Sequence, residues 1–447
     1  MPSSRWIVGT AFVIGALAGL AVGCQVYDFE PVKPLVVGQT TVEREVIAKN
    51  LKPNLMLLVD KSGSMDLPAD PTNSNCRIAL SDGGSITCGG TKGTLCNPAT
   101  CPTRWSELQG AMNDFLTNSG DVARMGLSTF PATIYCGEQD PDAGWNGVVK
   151  TFPPIVQTDD VTADLVAQAG LINERLQMIS STGNANTDLT TTGGTPTAGS
   201  LRILSTRADL NDPTRDDFVL LLTDGLPNCN KDNPYNGSSP NCRCTVLQAD
   251  GGSVCAAGGS GGYQYVLGCL DQDGTVNQIS SNLSKGLKTI VVGFGSDTVS
   301  GDAPTVLEAM AEAGGFPRQC PDGGGCAAGD TCNMTSKPYI CNNVRYYQAS
   351  NRAELTTALA EIGNIIGPDP CLYPLVQDPP GGDGGDHSLL GVYITESGKP
   401  TVKLVEGPDT YSYTPGTVTL LGATCALVSN ATPANPVKVE VKVISTL

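Results

Sequence analysis

Three closely spaced side chains could do chemistry together: Asp60, Ser62 and Ser64, with Lys61 and Gly63 between them. They follow Leu55-Met56-Leu57-Leu58-Val59, an uninterrupted apolar run. Such a run predicts a strand covered on both faces, since a strand with one wet face would alternate. In open α/β sheets ligands bind beyond the carboxyl ends of the strands, so the triplet stands where that architecture places a ligand. A carboxylate and two hydroxyls are oxygen donors only. Oxygen-only sets select hard cations, Mg²⁺, Mn²⁺ or Ca²⁺.

The elements that would hold these residues follow from the apolar pattern. Further buried strands are expected at Arg124 to Phe130, Phe218 to Leu222 and Thr289 to Phe294, with a shorter one at Arg345-Tyr346-Tyr347. Between them, Trp105, Leu108, Ala111, Met112, Phe115 and Leu116 fall at helical spacing, as do Leu165, Ala169, Ile172, Leu176 and Ile179. Shorter helices are expected at Ala198 to Leu204 and from Pro304 to Ala313, the latter stopped by Gly314-Gly315. A last helix carries Leu355, Leu359, Ile362 and Ile366, with Asn351 and Glu354 at capping-box spacing. Alternating strands and helices imply an α/β, doubly wound, mostly parallel sheet over residues 50–367.

Two more segments complete a pattern. Thr192-Gly193-Gly194-Thr195-Pro196 precedes the helix at Ala198, and Leu222-Thr223-Asp224-Gly225 ends the strand begun at Phe218. With Asp60-x-Ser62-x-Ser64, and in this order, they resemble the metal-ion-dependent adhesion site of the von Willebrand factor type A domain, a Rossmann-like module. The resemblance implies that Ser62, Ser64 and Thr195 bind a divalent cation directly, Mg²⁺ or else Mn²⁺ or Ca²⁺, while Asp60 and Asp224 act largely through waters. The directly bound oxygens would then be neutral hydroxyls, leaving the cation to favour an incoming Asp or Glu of a protein ligand. That is binding chemistry and requires no catalysis. A competing expectation is a non-catalytic scaffold of a cell-envelope assembly, with the metal incidental or absent. A hydrolase has less support still.

The first residues carry an address. Arg5 precedes an apolar run, Trp6 to Val22, broken by small residues. This has the features of an export signal, residues 1–23, and is too short and glycine-rich for a comfortable membrane span. Leu20-Ala21-Val22-Gly23-Cys24 resembles a bacterial lipobox, which implies cleavage before Cys24 and acylation of its thiol. Gln25, where an aspartate is the usual inner-membrane retention signal, points to the outer membrane or cell surface. Residues 24–49 read as a tether with a possible strand at Thr40 to Ile47.

The 17 cysteines fit the same address. Setting Cys24 aside leaves an even number, as an oxidised exported protein requires. Most fall in three polar, glycine-rich insertions at 66–103, 228–274 and 315–343. The second holds an odd number, so a bridge must leave it, and Cys136 is a possible partner. Residues 368–388 are a Gly/Pro/Asp linker, and 389–447 read as a small β-rich domain with Cys371 and Cys425 as a plausible bridge.

Composition excludes much of the rest. A net charge of −17 provides no positive field for nucleic acid. The single histidine, His387, rules out two-histidine metal sites and reads as a solvated loop residue. Asp271-Gln272-Asp273-Gly274 resembles part of a calcium loop, but the twelve-residue pattern would end on Ser280 instead of a carboxylate. A turn and helix cap is the better reading. Gly258-Gly259-Ser260-Gly261-Gly262 matches a nucleophile elbow in letters only, without a strand before it.

Overall fold

The computed structural model describes residues 46–47, 52–89, 95–131, 136, 160–180, 191, 193–211, 215–236, 241–245, 255, 267–320, 324–335, 338–367, 369–375, 377–381, 385–429, 431 and 437–443. The export signal, Cys24, Thr192 and the 258–262 glycine run lie outside them.

The apolar runs form a five-stranded sheet. Strands β2 (Asn54–Asp60), β5 (Arg124–Phe130), β6 (Asp217–Thr223), β7 (Leu287–Phe294) and β10 (Tyr347–Ala349) lie in the order β10-β7-β6-β2-β5. Every pairing is parallel. All seven residues of β2 and of β6 are buried, which is why their sequences do not alternate.

Alternate side chains still go to opposite faces. On one face Leu55, Leu57, Val59, Leu220 and Leu222 pack against α1 (Arg104–Asn118), α2 (Thr162–Met178) and α6 (Arg352–Ile366). On the other, Met56, Leu58, Val219, Leu221 and Val291 meet α3 (Thr197–Leu204), α4 (Gln272–Ser284) and α5 (Ala303–Ala313). The doubly wound α/β class follows directly.

The strand order fixes where a ligand can sit. From β2 the chain moves to β5 on one side, then crosses to β6 on the other. The connections that leave the neighbouring ends of β2 and β6 thus run to helices on opposite faces, α1 and α4, and open a crevice between the carboxyl ends of these two strands. Asp60 ends β2, and Asp224 directly follows its neighbour β6.

The fifth strand lies two residues later than the sequence suggests. The Arg345 N–H donates to the Glu308 carboxylate (2.7 Å), and its carbonyl accepts from the Arg318 N–H (2.7 Å). Both backbone groups are thereby taken off the ladder, which begins at Tyr347 opposite Val292.

The insertions are closed excursions. In the first, a hairpin of β3 (Arg77–Ala79) and β4 (Ser85–Thr87) is stapled by Cys76–Cys101 and Cys88–Cys96. The second carries Cys242–Cys269 and Cys244–Cys255, and Cys136–Cys229 ties it to the segment after β5. The third holds β8 (Cys332–Asn333) and β9 (Ile340–Cys341), with Cys320–Cys332 and Cys326–Cys341.

The C-terminal residues build two small sheets around a separate apolar cluster. One is β11 (Leu372–Pro374), β15 (Thr417–Leu420) and β14 (Tyr411–Thr414). The other runs β1-β16-β12-β13, from β1 (Val46–Ile47), β16 (Val437–Val443), β12 (Leu390–Glu396) and β13 (Val402–Lys403). Cys371–Cys425 ties the first sheet to α7 (Gly422–Ser429). Residues 46 and 47 belong to the four-stranded sheet, paired with Val443 and Lys442.

Candidate metal centre

Four of the five motif side chains join in one hydrogen-bonded chain. The Ser62 N–H donates to Asp60 Oδ1 (2.8 Å), folding the backbone back over the end of β2. The Ser62 and Ser64 hydroxyl oxygens are 3.0 Å apart, and Ser64 Oγ donates to Asp224 Oδ1 (2.8 Å). Thr223 Oγ1 donates to Asp60 Oδ2 (2.7 Å), linking the two strand ends a second time.

Thr195 reaches the site through backbone contacts. The Gly63 N–H donates to the Gly193 carbonyl (3.0 Å), which sets the 193–195 loop against the turn between Ser62 and Ser64. Asn228 holds Thr195 from the other side. Its Oδ1 accepts from the Thr195 N–H (2.8 Å), and its own N–H donates to the Thr195 carbonyl (2.9 Å). Asn228 Nδ2 then donates to Thr245 Oγ1 (2.8 Å), so the second insertion braces this clamp.

Sequence reading missed Asn228, and it missed Arg104. The Arg104 guanidinium donates through Nη1 to Asp224 Oδ2 (2.7 Å) and through Nη2 to Asp297 Oδ2 (2.6 Å). Arg104 is 3% exposed and Asp224 1%, so this pair lies inside the protein. A signal for it was present. Arg104 is the first residue of α1, and a basic group there opposes the helix dipole, so some other partner has to hold it.

The electrostatics suit a cation. Asp60 is fully buried, and burial first, then the nearby Asp224 charge, raise its carboxyl to about 7. Two carboxylates share a largely buried corner with the Ser62 and Ser64 hydroxyls, and the Thr195 backbone is held beside it. A hard divalent ion would offset that repulsion using donors it prefers. The residues present therefore fit such an ion.

The weaker candidates resolve differently. Asp271 occupies the N-cap position of α4, but its side chain makes no capping bond. Its Oδ1 accepts from Asn230 Nδ2 (3.0 Å) instead, and burial raises its carboxyl to about 6. His387 is half exposed and pairs with Glu406 Oε2 (2.8 Å). Among the described residues no helix is long and apolar enough to cross a membrane.

No family model matches the chain, and no curated protein matches it. Among solved structures it is similar to the pilus adhesin SpaC of Lactobacillus rhamnosus GG, at 15% identity and a TM-score of 0.36 over 89% of this chain and 40% of that one. It is also similar to the manganese-loaded TRAP protein of Plasmodium vivax, at 14% identity and a TM-score of 0.35, covering 73% and 78% of the two chains. A third is proximal thread matrix protein 1 of the mussel byssus, with a zinc-occupied MIDAS motif, at 11% identity and a TM-score of 0.32 over 74% and 51%. The chain thus spans two fifths of the pilus adhesin's length and half of the byssus protein's.

Proposed function

We propose that this chain is an exported, lipid-anchored binding module that holds a divalent cation at the end of β2 and engages a protein ligand there. The convergence of Asp60, Ser62, Ser64 and Asp224 into one hydrogen-bonded chain carries this reading. Ser62, Ser64 and Thr195 would hold the ion, with Asp60 and Asp224 behind them. Once bound, the ion supplies a positive centre that an Asp or Glu of the partner can complete. The protein's own part is orientation. Asn228 fixes Thr195, Thr223 fixes Asp60, and the Gly63–Gly193 bond fixes the two loops relative to each other. No acid–base step is needed, and the reading is that of a non-enzyme. Eight disulfides among the described residues suit an extracytoplasmic protein.

Calorimetry and thermal melts with Mg²⁺ and Mn²⁺ test the site. Wild type is expected to bind and gain about 3–4 kcal/mol of apparent stability at a hundred- to thousandfold excess over Kd. Ser64→Ala should lose most of that gain. It is a cleaner variant than Asp224→Ala, which would leave the buried Arg104 guanidinium without its one buried partner. If wild type shows no response to either metal, the cation reading is wrong and the scaffold reading replaces it.

A further inference from the structure

The site contains a positive charge of its own. Arg104 bridges Asp224, a residue of the metal motif, to Asp297, which lies in the turn Ser296–Val299 after β7. Three separate features hold it there. Thr103 caps α1 by accepting from the Ser106 N–H (3.1 Å), and the Arg104 N–H donates to the Leu67 carbonyl (3.0 Å) just beyond the metal loop. Gly295 has φ +107°, and a Cβ at that position would come within 3.1 Å of Arg104 Nε. The glycine therefore leaves room for the guanidinium.

We propose that Arg104 tunes the candidate metal centre as a fixed internal counter-charge, and that Asp297 in turn moderates Arg104. The inference rests on the cation reading above. When ionised, Asp60, Asp224 and Asp297 with Arg104 leave two negative charges, the buried Lys61 and the partly buried Asp66 of the same loop add one charge of each sign, and a divalent ion cancels the remainder. Without Arg104 a loaded site would keep a net negative charge and repel an incoming carboxylate. Without Asp297 it would be net positive. Arg104 thus weakens the hold on metal and favours the acidic partner, which matters on a chain whose net charge is −17. It is a positioning and tuning residue, since its guanidinium is spent on the carboxylates of Asp224 and Asp297.

Opposite signs separate this from a structural role. Mn²⁺ affinity is measured by calorimetry on the full chain. Arg104→Gln is expected to bind Mn²⁺ about tenfold more tightly, because a nearby positive charge is removed at low local dielectric. Asp297→Asn, at a 62% exposed side chain, should bind it about threefold more weakly, and the difference should shrink in high salt. Arg104→Lys keeps the charge and should stay near wild type. A purely structural Arg104 would weaken binding in the glutamine variant and leave Asp297→Asn unchanged, and either result overturns the proposal. Should Arg104→Gln not fold, Asp297→Asn decides alone: weaker binding supports the proposal, and unchanged or tighter binding overturns it. If wild type binds no Mn²⁺, the site reading fails and takes this inference with it. Normal wild-type binding without the charge effects overturns only the role of Arg104.

Discussion

At the scale of single residues, the buried acids are the informative ones. Asp271 is 3% exposed and its carboxyl is raised from 3.8 to about 6, chiefly by burial. The bond from Asn230 pulls it back, while Asp273 pushes it further up. The folded protein thus prefers Asp271 protonated. Its contribution is fully present below about pH 4 and is lost as pH rises through about 6. Asp271→Asn keeps a neutral group of the same shape. It is expected to raise Tm at pH 7 by a few degrees and to flatten the fall in stability between pH 4 and 6. Melts of both proteins across that range check this, and identical slopes would count against it. The same residue shows what sequence can and cannot give. The helix start was legible from its turn chemistry. That the side chain would bond Asn230, 41 positions away, was not.

At the scale of elements, legibility followed burial. Strands β2, β6 and most of β7 were readable because both of their faces are covered, which turns the sequence into a nearly unbroken apolar run. The motif was readable for a related reason, since two of its three pieces stand at the ends of such runs and the third directly precedes a helix. Elements held by polar contacts were not readable. The start of β10 is set by Glu308 and Arg318, and Asn228 braces Thr195 from inside an insertion. The first insertion shows how such segments are kept. Its root is closed by Ala69 N–H to the Pro102 carbonyl (2.9 Å) and by Arg104 N–H to Leu67, while its interior cluster is Cys76, Cys88, Cys96 and Cys101 with Ile78. Replacing Cys76 and Cys101 by serine is therefore expected to loosen residues 70–100 while the sheet stays intact. Native-state hydrogen exchange should accelerate there, with the amides of β2 and β6 unchanged. The whole-protein cost should be about 2–4 kcal/mol at most, because one bridge remains in the segment. Uniform acceleration across the sheet would show that the insertion is integral to the core.

At the scale of the whole molecule, cysteine number and chain address combine. Sixteen cysteines pair among the described residues, and Cys24 is the one left over from 17. A free thiol in an oxidising compartment is a liability for disulfide exchange, and acylation would remove it. The lipid-anchor proposal thus has a chemical reason beyond the resemblance of residues 20–24 to a lipobox. It also suits the chain's charge, because a net charge of −17 would keep the protein away from anionic lipid surfaces without a covalent anchor. Two acyl chains are sufficient for stable attachment, whereas one is marginal. Expressed with its leader in a bacterium that processes lipoproteins, the protein is expected to partition into the detergent phase and to incorporate labelled fatty acid. Cys24→Ser should move to the aqueous phase without label. Alkylation under non-reducing conditions should find no free thiol in either protein, because Cys24 is acylated in one and absent in the other. Detergent partitioning that survives Cys24→Ser would assign the anchor elsewhere, and one reactive thiol in the wild type would show that Cys24 is not acylated.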